Sequence, residues 1–450
     1  MPNKINYDKW FKISAIKKFD ALEIQTHQSK TLAISSEDGL NTINTHVASE
    51  LTTLIIKGLY QNKKVKCYLE KINNFNDEMI ENVLENLKEK AEILNFKEKD
   101  FIFSGSDVYS EIPVKNFDFT SIHIQTKYNL LLDFEKEILS KSRYLKNIDQ
   151  IDYSETIYLE TLINSKGLNL EDKGSFAEIS AVCIFGKEEN SSIKEIYKNF
   201  TERTFFDIDV SKYAQKIISL GENKIGSHSI KSKSYPTVFS NEIFASLLNC
   251  FSDVFSGENA YRNLTKLKGK EGQLVAAPCV TIIDNPLSSE SLFQSKFDDE
   301  GVACFSKKII VNGVFQQFIH NLKTAHIFNT HSTGNCFNGS VAMNNCYLQK
   351  GEKTLTEIIA PIQEGVYIDY LIGLHAGIDT ISGDFSLQAE GFKIEKGKIT
   401  SPIKMIIISG NFFEMLKNIK TIANDFVFKT SKLFGSASVY VGDLMIAGEK

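Results

Sequence analysis

Three acids in a row, Asp298, Asp299 and Glu300, stand between Phe297 and Gly301. Adjacent carboxylates can bind a cation or orient a water for attack. The plainer reading is a solvated turn. Further along, Ser332-Thr333-Gly334-Asn335 offers two hydroxyls, an amide and a flexible backbone. Such a set can match the alternating donors and acceptors of an extended peptide, or close a turn on its own backbone. His375 lies between Gly373 and Gly377, where an imidazole could act as base or ligand. A lone His at a glycine-rich strand end is more often a hydrogen-bonded structural residue. Asp384 follows Gly383, in a pattern that reads as close backbone approach within a strand.

What is missing narrows the chemistry. No His is followed by Glu, so neither H-E-x-x-H nor H-E-x-x-x-H occurs. His320, His326 and His331 have no accompanying Glu, and the seven Cys include no C-x-x-C pair. Cys304, Cys336 and Cys346 lack the short ligand spacing of a tight zinc site. There is no G-x-S-x-G, no Walker A loop and no G-x-G-x-x-G.

The elements that must carry these residues follow from periodicity. Alternation predicts extended segments within 21–70. Met79, Ile80, Val83, Leu84, Leu87, Ala91 and Leu94 predict a helix over 77–94, capped by Asn76 or Asp77. A second helix is expected over 128–147, with Leu130, Leu131, Phe134, Ile138 and Leu139 as its stripe. A β-meander is expected over 154–187, turning at Asn164-Ser165-Lys166-Gly167, and a helix from Val210 to Leu220. The polar run 221–236, rich in Ser, Lys and Gly, reads as a linker. A helix over 241–256 follows, with Phe244, Leu247, Leu248, Phe251 and Phe255 on one side. Beyond it come mostly strands, with hairpin turns at Asn312-Gly313 and Lys396-Gly397.

The expected class is therefore α+β: a mixed α/β N-terminal region over 1–225, divisible near 110–120, and a β-rich C-terminal domain over 226–450. A length of 450 residues agrees with two or three domains. With 42% hydrophobic and 24% charged residues the composition is that of a soluble globular protein. The net charge of −5 supplies no global field for nucleic acid, and no partner of that kind is expected. Met1-Pro2-Asn3-Lys4 lacks a signal-peptide core and no apolar run approaches a membrane span, so a cytoplasmic protein with reduced thiols is expected.

Taken in order, Thr281–Asp284, Phe297–Val302, Asn321–Ala325, Ser332–Asn335, Glu364–Tyr367, Gly373–Gly377, Ser382–Ser386, Gly391-Phe392, Ser409–Asn411 and Asn424-Asp425 resemble the TldD/PmbA family, most closely its PmbA (TldE) branch. The resemblance implies a two-part fold and a dimer enclosing a groove. It also implies that TldD-type members hold zinc by the two His of an H-E-x-x-x-H helix and a Cys near the C-terminus, the Glu activating water. Here the matching positions fall at about Leu248, Asn249 and Asp253, and Phe434-Gly435-Ser436 stands in the region of the Cys. The expectation is a PmbA/TldE-type subunit that binds no cofactor itself, holds unfolded peptides in extended form, and pairs with a zinc-bearing TldD-type subunit that hydrolyses them. Ser332, Thr333, Asn335, His375 and Asp384 are the candidate groove residues. Family members are linked to maturation of gyrase-targeting peptide antibiotics and to antitoxin turnover. One alternative is a non-catalytic homodimeric binding or regulatory protein. Another is a peptidase using Asp298, Asp299, Glu300 and His375.

Overall fold

The computed structural model describes residues 5–37, 43–70, 75–95, 98–113, 117–187, 193–429 and 433–449; Met1–Lys4 lie outside them. The chain is α+β and forms two compact units. One comprises Met1–Glu222 with Glu300–Ala303 and His326–Thr330; the other takes the remainder.

The first unit is built on a six-stranded antiparallel sheet. Its strands lie in the spatial order Lys63–Glu70, Ile43–Tyr60, Ala21–Glu37, Leu145–Asn164, Asn169–Phe185, Lys194–Glu202. Gln61 and Asn62 both take positive φ, the geometry of a two-residue turn that matches strand twist. At a second hairpin, at the same end of the sheet, Asn164 Oδ1 accepts from the amides of Lys166 and Leu168 at 3.0 and 3.3 Å, an Asx-type turn. Helices Tyr7–Ile16 and Asp77–Ile93 cover part of one face. There Trp10, Ile80, Leu84, Leu87 and Ala91 meet Ile24, Leu54, Ile56 and Val65 in one core. Asn76 caps the second helix, accepting from the Met79 amide at 2.8 Å.

The helix expected over 128–147 is shifted. It spans Ile124–Lys141, capped by His123, and chain from Leu145 onward is strand. Leu131, Phe134 and Ile138 are buried as the stripe requires, whereas Leu139 is exposed. The meander is longer than expected, because its two strands run the full 145–164 and 169–185. The helix Val210–Glu222 buries Ala214, Ile217 and Ile218.

The second unit surrounds a buried helix, Asn241–Cys250. One sheet runs Lys398–Asn411, Asp384–Glu395, Glu364–Ile372, Lys233–Phe239, Val439–Ala447, Thr421–Ile422. Ile407, Ile408 and Ser409 also pair with Ala447, Ile446 and Met445, which closes this sheet on itself. The other sheet runs Val314–Phe315, Lys307–Val311, Ile282–Asp284, Cys346–Leu348, Phe434–Ser436, Val427–Lys429. The central helix packs against strands of both sheets. Phe244, Leu247, Leu248, Phe251 and Phe255 are fully buried. That helix does not continue to 256: it stops at Cys250 and a 3-10 turn covers Ser252–Phe255. The run 221–236 does contain the change of unit, between Glu222 and Asn223, but most of it is built into the second unit. Lys224 is buried against Asp369 at 2.7 Å, and Lys233–Phe239 sits between two neighbours in the closed sheet. Both predicted hairpin turns form, with positive φ at Asn312, Gly313, Lys396 and Gly397.

Candidate functional site

The five candidate residues fall into two sets in the second unit. The first is the Ser332–Asn335 turn, built onto a buried ion pair. Asp284, at the end of one strand, and Lys307, at the start of its neighbour, are both fully buried, with Nζ 3.1 Å from Oδ2. Lys307 Nζ also donates to the Thr333 carbonyl at 3.0 Å. Asn335 Nδ2 donates to Asp284 Oδ2 at 2.8 Å, and the Asn344 amide donates to Oδ1 at 2.8 Å. The Thr333 hydroxyl accepts from the His320 amide at 2.7 Å and lies 2.8 Å from Asn335 Oδ1. Thr333 and Asn335 are thus buried and engaged inside the protein. Ser332 is half-buried; its hydroxyl donates to the His320 carbonyl at 3.2 Å.

The acidic run is divided between partners. Asp298 is buried and accepts from the Cys336 amide at 2.9 Å; Asp299 accepts from the Gly339 amide at 3.0 Å. Glu300 belongs to the first unit, where it pairs with Lys64 at 2.6 Å. Each carboxylate thus has its own structural contact. The three His are dispersed too. His320 is buried beside Thr324 Oγ1 at 3.2 Å, and burial pushes its pKa down to about 4. His326 belongs to the first unit, its ring 5.1 Å from that of Phe101, and His331 is exposed. Burial pushes the thiols of Cys304 and Cys346 up, which disfavours thiolate.

The second set lies on the loop that follows strand Glu364–Ile372 and on the start of the next. The amides of Ala376 and Gly377 donate to the Gly373 carbonyl, folding the loop back and leaving His375 exposed. Asp379 accepts from the amides of Ile381 and Ser382 at 2.8 and 3.2 Å. Asn411 holds Asp384: its Nδ2 lies 2.7 Å from Asp384 Oδ1 and 2.8 Å from the Ser382 carbonyl. The Asn411 bond, then the Ser382 hydroxyl, lower the Asp384 pKa below the usual carboxylate range. Asn411 also caps the helix Phe412–Asn418. Lys266 Nζ donates to the Ser382 carbonyl at 2.7 Å. The roles of Asn411 and Lys266 escaped the sequence reading. A polar residue immediately before an apolar helical stretch is the signal that could have flagged Asn411; nothing local flags Lys266. The hydrogen bonds of Ser332, Thr333 and Asn335 run to His320, Asp284 and one another, and that of Asp384 to Asn411, each within its own set.

The positions that the resemblance sets at about Leu248, Asn249 and Asp253 lie at the end of the central helix and on the 3-10 turn after it. Leu248 is fully buried, Asn249 half-buried and Asp253 exposed. Strand Phe434–Ser436 packs against this helix, and Ser436 is buried with its hydroxyl on the Ala437 carbonyl at 2.7 Å. An aliphatic chain, an amide and a hydroxyl are not usual zinc ligands, and the one carboxylate, Asp253, does not supply the three or four ligands a zinc site needs. Among the described residues no group of three or more His, Cys, Asp or Glu is placed to hold a metal ion.

Comparison with known proteins gives a consistent picture. Residues 232–448 match the model of the PmbA/TldA metallopeptidase C-terminal domain, and residues 117–220 that of its central domain. A metalloprotease PmbA homolog of Buchnera aphidicola (subsp. Acyrthosiphon pisum) is 29% identical, over 77% of this chain and 78% of the relative. Metalloprotease PmbA of Escherichia coli O157:H7 is 24% identical over 70% and 68%. A Thermotoga maritima crystal structure, described as a proposed modulator of a DNA gyrase, superposes with a TM-score of 0.87 at 27% identity, covering 98% of this chain and 99% of that one. TldE from Thermococcus kodakarensis shares the fold, with a TM-score of 0.86 at 22% identity over 98% and 100%.

Proposed function

This chain belongs to the PmbA/TldD metallopeptidase family, and on that premise we propose that it is the PmbA/TldE-type subunit of a TldD/TldE-like peptidase complex. In this reading it binds unfolded peptides in extended form, and a TldD-type partner holds the zinc and supplies the hydrolytic chemistry. The observation that carries it is the makeup of the central helix and of the 3-10 turn that follows it. Leu248, Asn249 and Asp253, with Ser436 on the adjoining strand, offer neither imidazole nor thiolate where the active branch needs them. The exposed His375 and Asp384 are the groove residues best placed to meet a peptide, with Ser332 at the edge of the turn. Thr333 and Asn335 would act indirectly, by fixing that turn on Asp284 and Lys307.

The test is cleavage of an unfolded, C-terminally amidated peptide by the purified chain with added zinc, with and without a TldD-type subunit. Turnover is expected only in the mixture. Turnover by the chain alone overturns the proposal. No turnover in the mixture, with the two chains eluting apart, would instead favour a homodimeric binding protein.

A further inference from the structure

A cavity of about 220 Å³ opens in the second unit beside the helix Phe412–Asn418. Lys266, Lys270 and Lys417 are among the residues that line it, with Glu414 the single acidic one. Glu414 is already matched, 2.9 Å from Lys417 Nζ. Lys266 Nζ is held by the Ser382 carbonyl at 2.7 Å and stands 5.6 Å from the centroid of the Phe413 ring. Lys270 is exposed, and among the described residues its ammonium has neither a hydrogen-bond acceptor nor an ion-pair partner. The cavity therefore carries a surplus of positive charge with one ammonium uncommitted. Part of its wall is apolar, from Leu267, Leu274, Val275 and Phe413, and Leu274 is 64% exposed, so an aliphatic group entering the cavity would find apolar surface still open to solvent.

A cationic rim over an apolar wall suits a ligand that carries a carboxylate and an aliphatic group on neighbouring atoms. The volume lies below the ~300 Å³ at which drug-sized pockets begin, so it suits one residue rather than a long segment. We propose that this cavity captures the free C-terminal carboxylate of a peptide whose last residue is apolar, with Lys270 as the charge-reading residue. The proposal rests on the peptide-binding reading above and names which end of the peptide is recognised. The cavity neighbours that region: Asn411 lines it and also holds Asp384. A carboxylate could equally come from an Asp or Glu side chain, and the experiment separates the two.

The measurement is fluorescence anisotropy on the full chain with N-terminally labelled peptides of otherwise identical sequence. One ends in Leu with a free acid, one ends in Leu amide, and one is amidated with Glu before the Leu. The free acid is expected to bind at least tenfold more tightly than the amide. Lys270→Ala should abolish that preference and Lys270→Arg retain it. Lys270 is exposed and unpaired, so these variants leave the fold intact. Equal binding of acid and amide, or no response to Lys270→Ala, overturns the proposal. Equal binding of the amidated Glu peptide and the free acid also overturns it, assigning the cavity to side-chain carboxylates. Because the cleavage assay uses amidated substrate, the subunit reading stands or falls separately.

Discussion

Asp284 and Lys307 keep opposite charges in a place with no exposure, and each extra hydrogen bond around them is needed for that. A buried ion pair gains from mutual attraction only when its remaining donors and acceptors are also satisfied. Thr333, Asn335 and Asn344 supply that satisfaction, which is why a polar turn sits inside the protein. His320 adds a pH dependence to the same neighbourhood. Burial lowers its folded pKa to about 4 from an ordinary 6.5, so between those values the unfolded chain takes a proton that the folded chain refuses. Stability from this source is full above neutrality and falls as pH drops from 6.5 towards 4, by roughly 3 kcal/mol across the window. Thermal melts at pH 7 and pH 4.5 should show a steeper loss for the native chain than for His320→Gln; equal slopes would sink this assignment. The chemical capability of the five candidate residues was legible in the sequence, but their exposure was not. Whether Asn335 points to solvent or to Asp284 depends on a strand pairing between segments far apart in the chain, and residue type carries no trace of it.

At the scale of elements, apolar spacing located the helices at 77–93 and 210–222 because each lays a stripe on a sheet. Boundaries were less legible. The helix Ile124–Lys141 begins earlier than its stripe, since His123 caps it and Lys127, a polar residue by type, is buried in an ion pair with Glu155 at 2.7 Å. The central helix is short because Phe251 leaves helical geometry, while its rings continue to pack, Phe251 stacking on Phe412 at 4.3 Å. The sheet closure could not be read at all, as pairing of Ile407 with Ala447 is a long-range fact. One position tests how tightly that closed sheet is drawn. Gly391 sits at a bulge between strands Glu364–Ile372 and Asp384–Glu395, and a Cβ there would collide with the Tyr367 carbonyl. Backbone cannot retreat as a flexible side chain would, so Gly391→Ala should cost about 1–3 kcal/mol. Chemical denaturation would show it as a lower midpoint with unchanged slope; an unchanged midpoint would mean the bulge has slack.

For the molecule as a whole, the informative feature is that the first unit is discontinuous. Its segments 300–303 and 326–330 bind the irregular stretch near residue 105. Tyr109 donates to the Gly301 carbonyl at 2.7 Å, the Ala303 amide donates to Ser106 Oγ at 3.0 Å, and His326 sits against Phe101. That stretch has no helix or strand of its own. A fragment ending at Glu222 should keep its sheet and helices, with Asp100, Ile102 and Phe103 still held by Asn62, Lys166 and Asn164, yet lose protection over 104–111, with amide exchange there at least tenfold faster than in the full chain. Hydrogen-exchange mass spectrometry would decide it, and unchanged protection would show the stretch to be self-supporting.

The same discontinuity sets an order of events during synthesis. When a ribosome has released residue 222, the sheet of the first unit is complete in strands, but the part of its irregular stretch around Phe101, Ser106 and Tyr109 still lacks the pieces it packs against. Those pieces emerge only after the buried helix of the second unit has left the exit tunnel, an apolar segment that needs its own sheets around it. The N-terminal half must therefore wait, partly unpinned, while a sticky helix passes. That interval is when a nascent chain of this kind would most depend on a chaperone.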